Sequence, residues 1–484
     1  MAGQVVTGKK DLTLIHSVIT FIIMLVIGSI PAIAPITPLG MKILGIFVGM
    51  VYGWSTVGLI APSILGIIMY ALVGNESIGE IFMDGFGNNI VVLLFFVLTF
   101  AAAITEAGIG NFIATWLITR RFLLGKPWIL TTILLLAAFL VSALVNVFGS
   151  IIICWGILYD LCKKVGYKAG DKWPAFMVFG ITVAAILGSG SFAFRAVSML
   201  ILGFYEKFSG VPIDFLGFSI VFWTLSLFVM IGVCFFAKFV YRVDVAPLKN
   251  VTEDMIDKSK LKLSKFQKAN MLFLIILLVG LMAPSLMPKT WAITVALTKM
   301  GSAGIIMVVV MLMMCIRVEG RSLLDFPKMA ANGILWDPII LTAAALPVCN
   351  AMLADEAGIK DLLLSSLGPI FVGKSILIFA FLFFTLSLLL TNFANNGMTG
   401  MIFVSVMLAL AGTLGVNAAA MTVLLVFIVH VAIITPAACP MAALMFSNEE
   451  WIKKNEILKY GILTLCWTVF VVMVIGMPMA NMLF

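Results

Sequence analysis

Apolar runs of about 20 residues, the length that a helix needs to cross a bilayer, recur along the whole chain. Of its 484 residues, 63% are apolar and 11% are charged, whereas soluble domains average about 45–50% and about 25%. This composition excludes a soluble enzyme, a disordered chain and a nucleic-acid binder, because so much apolar surface requires lipid as its solvent. Seven scattered cysteines and two histidines argue against a zinc site or a disulfide framework. We therefore expect an all-α polytopic membrane protein.

Two of the apolar stretches, 127–160 and 374–415, are too long for one span and are interrupted by the polar runs 146–150 and 391–397. Unpaired backbone is tolerated at membrane depth only where it lines a cavity, so these stretches predict re-entrant hairpins. About 11 other stretches predict transmembrane helices, near 12–36, 38–54, 57–74, 88–108, 173–192, 213–240, 268–288, 291–316, 334–354, 418–446 and 457–482.

Basic residues predict the orientation. Lys9 and Lys10 precede a long, proline-interrupted apolar run, so we expect an uncleaved first helix rather than a signal peptide. With a cytoplasmic N-terminus, 23 of the 30 Lys and Arg residues fall inside, in agreement with the positive-inside rule. This predicts a multi-pass protein of the cell (inner) membrane with its C-terminus outside. Hairpin 127–160 then enters from the cytoplasmic side and hairpin 374–415 from the outer side.

The chain contains an internal repeat. Glu106-Ala107-Gly108-Ile109 reappears as Glu356-Ala357-Gly358-Ile359, at an offset of 250 residues, and Asn146 reappears as Asn392, at an offset of 246. Each half has five full spans, an odd number, so the second half is inverted in the membrane. Inverted repeats with interrupted helices are typical of secondary transporters. The alternative is that the two interruptions are only helix-packing sites.

A basic stretch joins the halves, and within it residues 245–267 predict a cytoplasmic linker helix. An amphipathic helix on the membrane surface and a solvated loop fit its charges equally well.

The hairpin tips supply the candidate binding groups. Helix N-termini favour an anion, helix C-terminal carbonyls favour a small cation such as Na⁺, and Asn both donates and accepts. The candidate substrate-binding residues are Asn146, Gly149, Ser150, Thr391, Asn392, Asn395, Asn396, Arg195, Thr435 and Pro436. The candidate cation-binding residues are Ser142, Asn146, Gly188, Gly190, Ser387, Asn392 and Ala437.

Arg195 is the basic residue predicted deepest in the membrane, where a charge is costly and marks a functional hypothesis. It is a candidate partner for a substrate carboxylate; the alternatives are an interface position or pairing with Glu206. Glu106 and Glu356 are alternative proton-coupling carboxylates, although solvated positions suit them better. His430 fits a packing role better than a proton relay.

The chain resembles the divalent anion:sodium symporter family of the ion transporter superfamily, the dicarboxylate and citrate carriers. Element order carries the resemblance over nearly the whole chain. The tips Val145-Asn146-Val147 and Thr391-Asn392-Phe393 keep only the Asn of the family's Ser-Asn-Thr motifs, and Thr435-Pro436 remains in the second broken span.

This resemblance implies an elevator-type homodimer in the lipid bilayer that carries a small organic anion, a di- or other carboxylate, between the two tips with sodium beside each. The scaffold would comprise 1–126 and 268–372, and the transport domain 127–244 and 373–484. Because the first tip lacks hydroxyls and Arg195 adds a fixed charge, we expect altered coupling, as anion exchange or symport with fewer sodium ions.

A secondary carrier is therefore the first interpretation, with Na⁺ as its candidate coupling ion and no other cofactor. An anion channel with re-entrant pore loops is the alternative. An enzyme is not expected, because the available side chains, Glu106, Glu356, Asp337 and His430, are dispersed along the sequence.

Overall fold

The computed structural model describes residues 12–484 except 75, 124, 252–260, 360, 363–364, 366–374 and 437. Nearly all the regular structure in these residues is helical. The helices are α1 (Thr13–Gly28), α2 (Pro38–Thr56), α3 (Ile60–Val73), α4 (Ile78–Phe86), α5 (Asn89–Glu106), α6 (Ile109–Ile118), α7 (Pro127–Leu144), α8 (Val147–Val165), α9 (Lys172–Ser189), α10 (Ala196–Ser209), α11 (Phe215–Phe235), α12 (Lys265–Leu286), α13 (Ala292–Cys315), α14 (Phe326–Asn332), α15 (Trp336–Leu353), α16 (Ile376–Thr391), α17 (Asn396–Leu414), α18 (Ala418–His430), α19 (Pro440–Phe446), α20 (Lys454–Val471) and α21 (Met477–Leu483). A two-stranded antiparallel ribbon, β1 (Arg317–Val318) with β2 (Arg321–Ser322), follows α13.

Within the described residues, eight helices are long and apolar enough to cross a membrane, and several shorter apolar helices accompany them. The sequence prediction of an all-α polytopic membrane protein is confirmed. Of the predicted linker helix 245–267, a 3₁₀ turn at Ala246–Asn250 and the start of α12 are seen. The segment 252–260 lies outside the described residues.

The chain divides into two compact units, 1–91 with 336–370 and 92–335 with 371–484. In the first unit, α1 packs on α2 and α2 on α3, while α15 packs on α2, α3 and α4. Gly45 and Gly49 allow the close approach of α1, because a Cβ at Gly45 would lie 2.6 Å from the Met24 carbonyl oxygen. Such small-residue spacing is typical of helix pairs in membranes, where close backbone packing replaces the hydrophobic effect.

The second unit is built around α9, whose residues from Trp173 to Gly188 are all buried. Helix α7 packs along α9, and a Cβ at Gly188 would lie only 2.3 Å from the Phe139 carbonyl oxygen of α7. A glycine at this position therefore lets the C-terminal ends of α7 and α9 meet. This unit contains the predicted transport segments, 127–244 and 373–484, together with 92–126 and 268–335 of the predicted scaffold, so the division into scaffold and transport domain stays a prediction.

Both predicted hairpins are helix–break–helix elements. Helices α7 and α8 pack together and are interrupted at Val145–Asn146, and helices α16 and α17 are interrupted at 392–395. Each hairpin is followed by a broken helix, α9–α10 with its break at 190–195 and α18–α19 with its break at 431–439. The repeated Glu-Ala-Gly-Ile motif also keeps its backbone conformation, since Gly108 (φ +72°) and Gly358 (φ +65°) are both left-handed.

Candidate functional site

The first hairpin tip is organised by Asn146, which is the N-cap residue of α8. Its Oδ1 accepts a hydrogen bond from the Gly149 N–H at 2.7 Å, and its Nδ2 donates to the Thr105 hydroxyl at 3.1 Å. The first N–H groups of a helix have no acceptor within the helix. Asn146 caps Gly149, and within the described part of the chain the N–H groups of Val147 and Phe148 have no acceptor, so they are available to a ligand.

The first broken helix brings a second N-terminus to the same place. Helix α9 ends at Ser189, and α10 begins after Arg195, whose side chain does not cap the helix. Ala196 and Val197, in the first turn of α10, face the same cavity as the tip of α8. Two positive ends of helix dipoles therefore converge.

Arg195 joins the hairpin to the broken helix. Its Nη2 and Nη1 donate to the carbonyl oxygens of Ser142 and Val145 at 2.9 and 3.4 Å. Its Nε donates to the Ser189 carbonyl oxygen at 3.3 Å. All three acceptors are neutral. Among the described residues Arg195 forms no ion pair, with Glu206 or any other carboxylate, so its positive charge remains uncompensated.

These groups border a cavity of about 570 Å³. Its polar groups include Thr105, Asn146, Ser189, Arg195 and His430. Most of the remaining wall is aliphatic or aromatic, with contributions from Val97, Leu98, Ala101, Ala102, Val145, Val147, Phe148, Ala196, Val197, Met329, Gly333, Leu335 and Met441. A concave, largely apolar pocket with a few converging polar groups is the usual form of a small-molecule site.

An ion pair lies at the exposed end of the cavity. Lys328 Nζ lies 2.6 Å from Glu106 Oε1, and these side chains are 55% and 41% exposed. The pair cancels its own charge, which leaves the net charge of the cavity wall at +1 from Arg195. Together with the two helix N-termini, this charge favours an anion.

The second hairpin tip is closed by Asn392, which is fully buried. Its Nδ2 donates to the carbonyl oxygens of Leu388 and Val431 at 2.8 and 3.1 Å. Its Oδ1 accepts from the N–H groups of Ile433 and Ile434 at 2.8 and 3.0 Å. All four hydrogen-bonding positions of the amide are therefore used to join the hairpin to the break between α18 and α19.

A family model described as the sodium:sulfate symporter transmembrane region matches residues 11–484. The chain belongs to this family. An uncharacterized transporter of Methanocaldococcus jannaschii is 26% identical over 322 residues, which cover 63% of this chain and 65% of that protein. The match thus spans just under two thirds of the relative's length. The sequence resemblance to divalent anion:sodium symporters is confirmed.

For this member of the sodium:sulfate symporter family, the cavity brings together two of the predicted substrate-binding residues, Asn146 and Arg195. The other described candidates do not line it. Ser142 and Ser150 are buried and donate to the carbonyl oxygens of Ala185 and Ala138. Ser387 donates to the Phe384 carbonyl oxygen within its own helix.

The remaining candidates have structural positions of their own. Asn395 caps α17 through Gly397 and Met398, and Thr391 donates to the Val429 carbonyl oxygen. Gly149 and Gly188 lie at close contacts of the first hairpin, Gly190 lies beside His430, Asn396 contacts Thr391, and Thr435 donates to the Asn392 carbonyl oxygen. Pro436 follows in the break, and Ala437 lies outside the described residues. Whether these residues bind a ligand stays a prediction.

Sequence reasoning missed three parts of the cavity: Thr105, Lys328 and the aliphatic face of α5. Thr105 could have been found, because it directly precedes the repeated Glu-Ala-Gly-Ile motif. Lys328 had no local signal, since its partner Glu106 is 222 residues away in the sequence.

Proposed function

We propose that the protein is a secondary active transporter for a small organic anion of the di- or other carboxylate class. One observation carries this proposal: two helix N-termini and the uncompensated guanidinium of Arg195 border a single cavity. The shared chemistry of these groups is attraction for negative charge. Membership of a sodium:sulfate symporter family supports transport as the activity.

The cavity wall supports an organic anion rather than sulfate. An inorganic dianion that leaves water needs hydrogen-bond donors on all sides, because burying unpaired charge is costly. Here the wall contains, beside the donors, the aliphatic residues Val97, Leu98, Ala101 and Ala102 of α5. An organic anion can pack its hydrocarbon against these residues while a carboxylate accepts from the donors.

The movement we propose is an elevator within a homodimer. The scaffold comprises 1–126 and 268–372, and the transport domain comprises 127–244 and 373–484. The distribution of basic residues supports a cytoplasmic N-terminus and an outer C-terminus. In that orientation, the exposed Glu106–Lys328 end of the cavity faces the cytoplasm, which corresponds to an inward-facing state. Na⁺ symport and anion exchange are the two coupling modes to be separated.

The proposal is tested with purified protein and a panel of succinate, glutarate, citrate and sulfate. A ligand that binds only the folded state raises the melting temperature, Tm. We expect at least one carboxylate to raise Tm, and Asn146→Ala to abolish that shift because it removes the cap at the α8 N-terminus. Asn481→Ala, at an exposed position near the C-terminus, is the matched control and should keep the full shift.

Counterflow of the labelled carboxylate in proteoliposomes then separates a carrier from a channel, since only a carrier accumulates label against an internal unlabelled pool. A rise in Tm with sulfate but with none of the carboxylates would refute the organic-anion assignment. If the carboxylate raised the Tm of Asn146→Ala as much as that of the wild type, the anion would bind elsewhere.

A further inference from the structure

The ion pair of Glu106 and Lys328 lies between two cavities. Both residues line the large cavity of the candidate site, and both also line a smaller and more polar cavity of about 140 Å³. Arg321, Ser322 and Asp325 line the smaller cavity but not the large one. The pair is therefore more than an isolated surface contact, because each of its side chains borders polar groups on two sides.

Helix α14, which carries Lys328, is fixed to α5 in the wall of the large cavity. The Phe326 ring meets the Phe95 ring edge to face, with 5.9 Å between the ring centroids. Directly after α14, a Cβ at Gly333 would lie only 2.7 Å from the Ala102 Cβ, so a glycine there allows close contact with α5. This packing holds Lys328 at the cavity whether or not its ion pair is formed.

Glu106 has an alternative partner in the smaller cavity. The Arg321 guanidinium stacks on the Phe266 ring, with its Cζ 3.7 Å from the ring centroid, and within the described ranges it forms no ion pair. The other carboxylate of this cavity, Asp325, accepts a hydrogen bond from the Lys328 N–H at 3.2 Å. Because the Glu106 side chain is 41% exposed and exposed ion pairs contribute little free energy, Glu106 can leave Lys328 at low cost.

We propose that Lys328 binds the second carboxylate of a dicarboxylate, and that Glu106 holds Lys328 when no dicarboxylate is bound. In the proposed function, on which this inference rests, the first carboxylate lies at Arg195 and the two helix N-termini. Among the described residues that line the large cavity, Arg195 and Lys328 carry the positive charges. An ammonium group donates three hydrogen bonds, and a substrate carboxylate accepts them as well as Glu106 does. Binding then replaces one carboxylate with another, and the released Glu106 turns towards Arg321.

This exchange makes Lys328 and Glu106 residues that determine specificity. A monocarboxylate has an apolar end, so it leaves the Glu106–Lys328 pair intact. A dicarboxylate gains a charge-assisted hydrogen bond at Lys328, but it must compete with Glu106 for it. Removing the charge of Lys328 should therefore weaken the binding of dicarboxylates, whereas removing the charge of Glu106 should strengthen it.

The test compares succinate and glutarate with butyrate and pentanoate, which have the same chain lengths but one carboxylate. Kd is obtained from the dependence of Tm on ligand concentration, with the purified full-length protein. We expect Lys328→Gln to raise the Kd of the better-binding diacid by at least about fivefold, the loss of one hydrogen bond between charged groups. Glu106→Gln should lower that Kd by at least about twofold, because the competing carboxylate is gone. Neither variant should change the Kd of the monocarboxylates.

Lys454→Gln is the matched control, because Lys454 and Glu449 form a similarly exposed ion pair, at 2.7 Å, that lines neither cavity. It should leave every Kd unchanged. If the Glu106–Lys328 pair served only to close the cavity, Lys328→Gln and Glu106→Gln would change the diacid Kd in the same direction, which would contradict the proposal.

The outcomes also separate this inference from the proposed function. If no carboxylate raises the Tm of the wild type, the proposed function is wrong and the role of Lys328 in binding is wrong with it. If the diacids bind and Lys328→Gln leaves their Kd unchanged, the anion site stands and the assignment of Lys328 alone is refuted.

Discussion

Asn392 offers the sharpest test of how the second hairpin is held, because its side chain uses all of its hydrogen-bonding capacity inside the protein. Its amide bridges the last turn of α16 and the break after α18 through two donated and two accepted hydrogen bonds. Asn392→Ala removes all four bonds at once. The partners, among them the backbone groups of Val431 and Ile433, stay buried with no replacement.

The loss can be worked out from these contacts. A hydrogen bond contributes a net ~0.5–1.5 kcal/mol to stability, so four bonds give a destabilisation of about 2–6 kcal/mol. Asn395→Ala is the comparison within the same tip: it removes only a helix cap, which costs typically about 1 kcal/mol. The structure therefore predicts that Asn392→Ala lowers Tm several times more than Asn395→Ala does.

Tm of both variants is measured by intrinsic fluorescence in the same detergent, without ligand and with the best-binding carboxylate. We expect Asn392→Ala to have a low Tm without ligand, whereas Asn395→Ala stays near the wild type. The reasoning would be refuted by an Asn392→Ala variant with a wild-type Tm that has lost only its response to the carboxylate. That result would make Asn392 a ligand-binding residue rather than a bridge.

Two further predictions concern packing and the cavity mouth. Gly188→Ala should destabilise the protein by about 1–3 kcal/mol, because the added methyl group is forced against the Phe139 carbonyl oxygen. Gly156→Ala, where an added Cβ has no neighbour within 4 Å, should be neutral or slightly stabilising. Tm is measured for both variants, and equal changes in Tm would contradict the close approach of α7 and α9. Removing the exposed Glu106–Lys328 pair by Lys328→Ala should change stability by less than about 1 kcal/mol; a larger loss of Tm would mean that the pair holds the fold together.

The sequence was sufficient to predict the helical architecture because a membrane restricts the backbone conformations that can lie within it. The polar residues at 146–150 and 391–397 cannot face lipid, so a helix–break–helix element follows from solvation alone. The sequence repeat is also present in the backbone conformation, because Gly108 and Gly358 are both left-handed.

The hydrogen-bond partners of the side chains could not be predicted from the sequence in the same way. The sequence pairs Asn146 with Asn392, yet Asn146 caps a helix and borders the cavity, while Asn392 is buried and bridges two elements. In helix capping, the counterpart of Asn146 is Asn395. The difference arises because the Asn392 amide meets the backbone of Val431, Ile433 and Ile434 after folding, and these residues lie about 40 positions away in the chain. Local sequence holds no information on such contacts.

Side chains tie each hairpin to its neighbouring broken helix, among them Arg195 and Ser142 in the first half and Asn392 and Thr391 in the second. If a hairpin moved alone, it would break these hydrogen bonds inside the membrane, where lipid supplies no other hydrogen-bond partners. Displacing hairpin and broken helix together leaves them intact. If the protein works as the transporter proposed above, we therefore expect the cavity to open to the opposite side by the shift of a whole block, with the flexing confined to the loops around it.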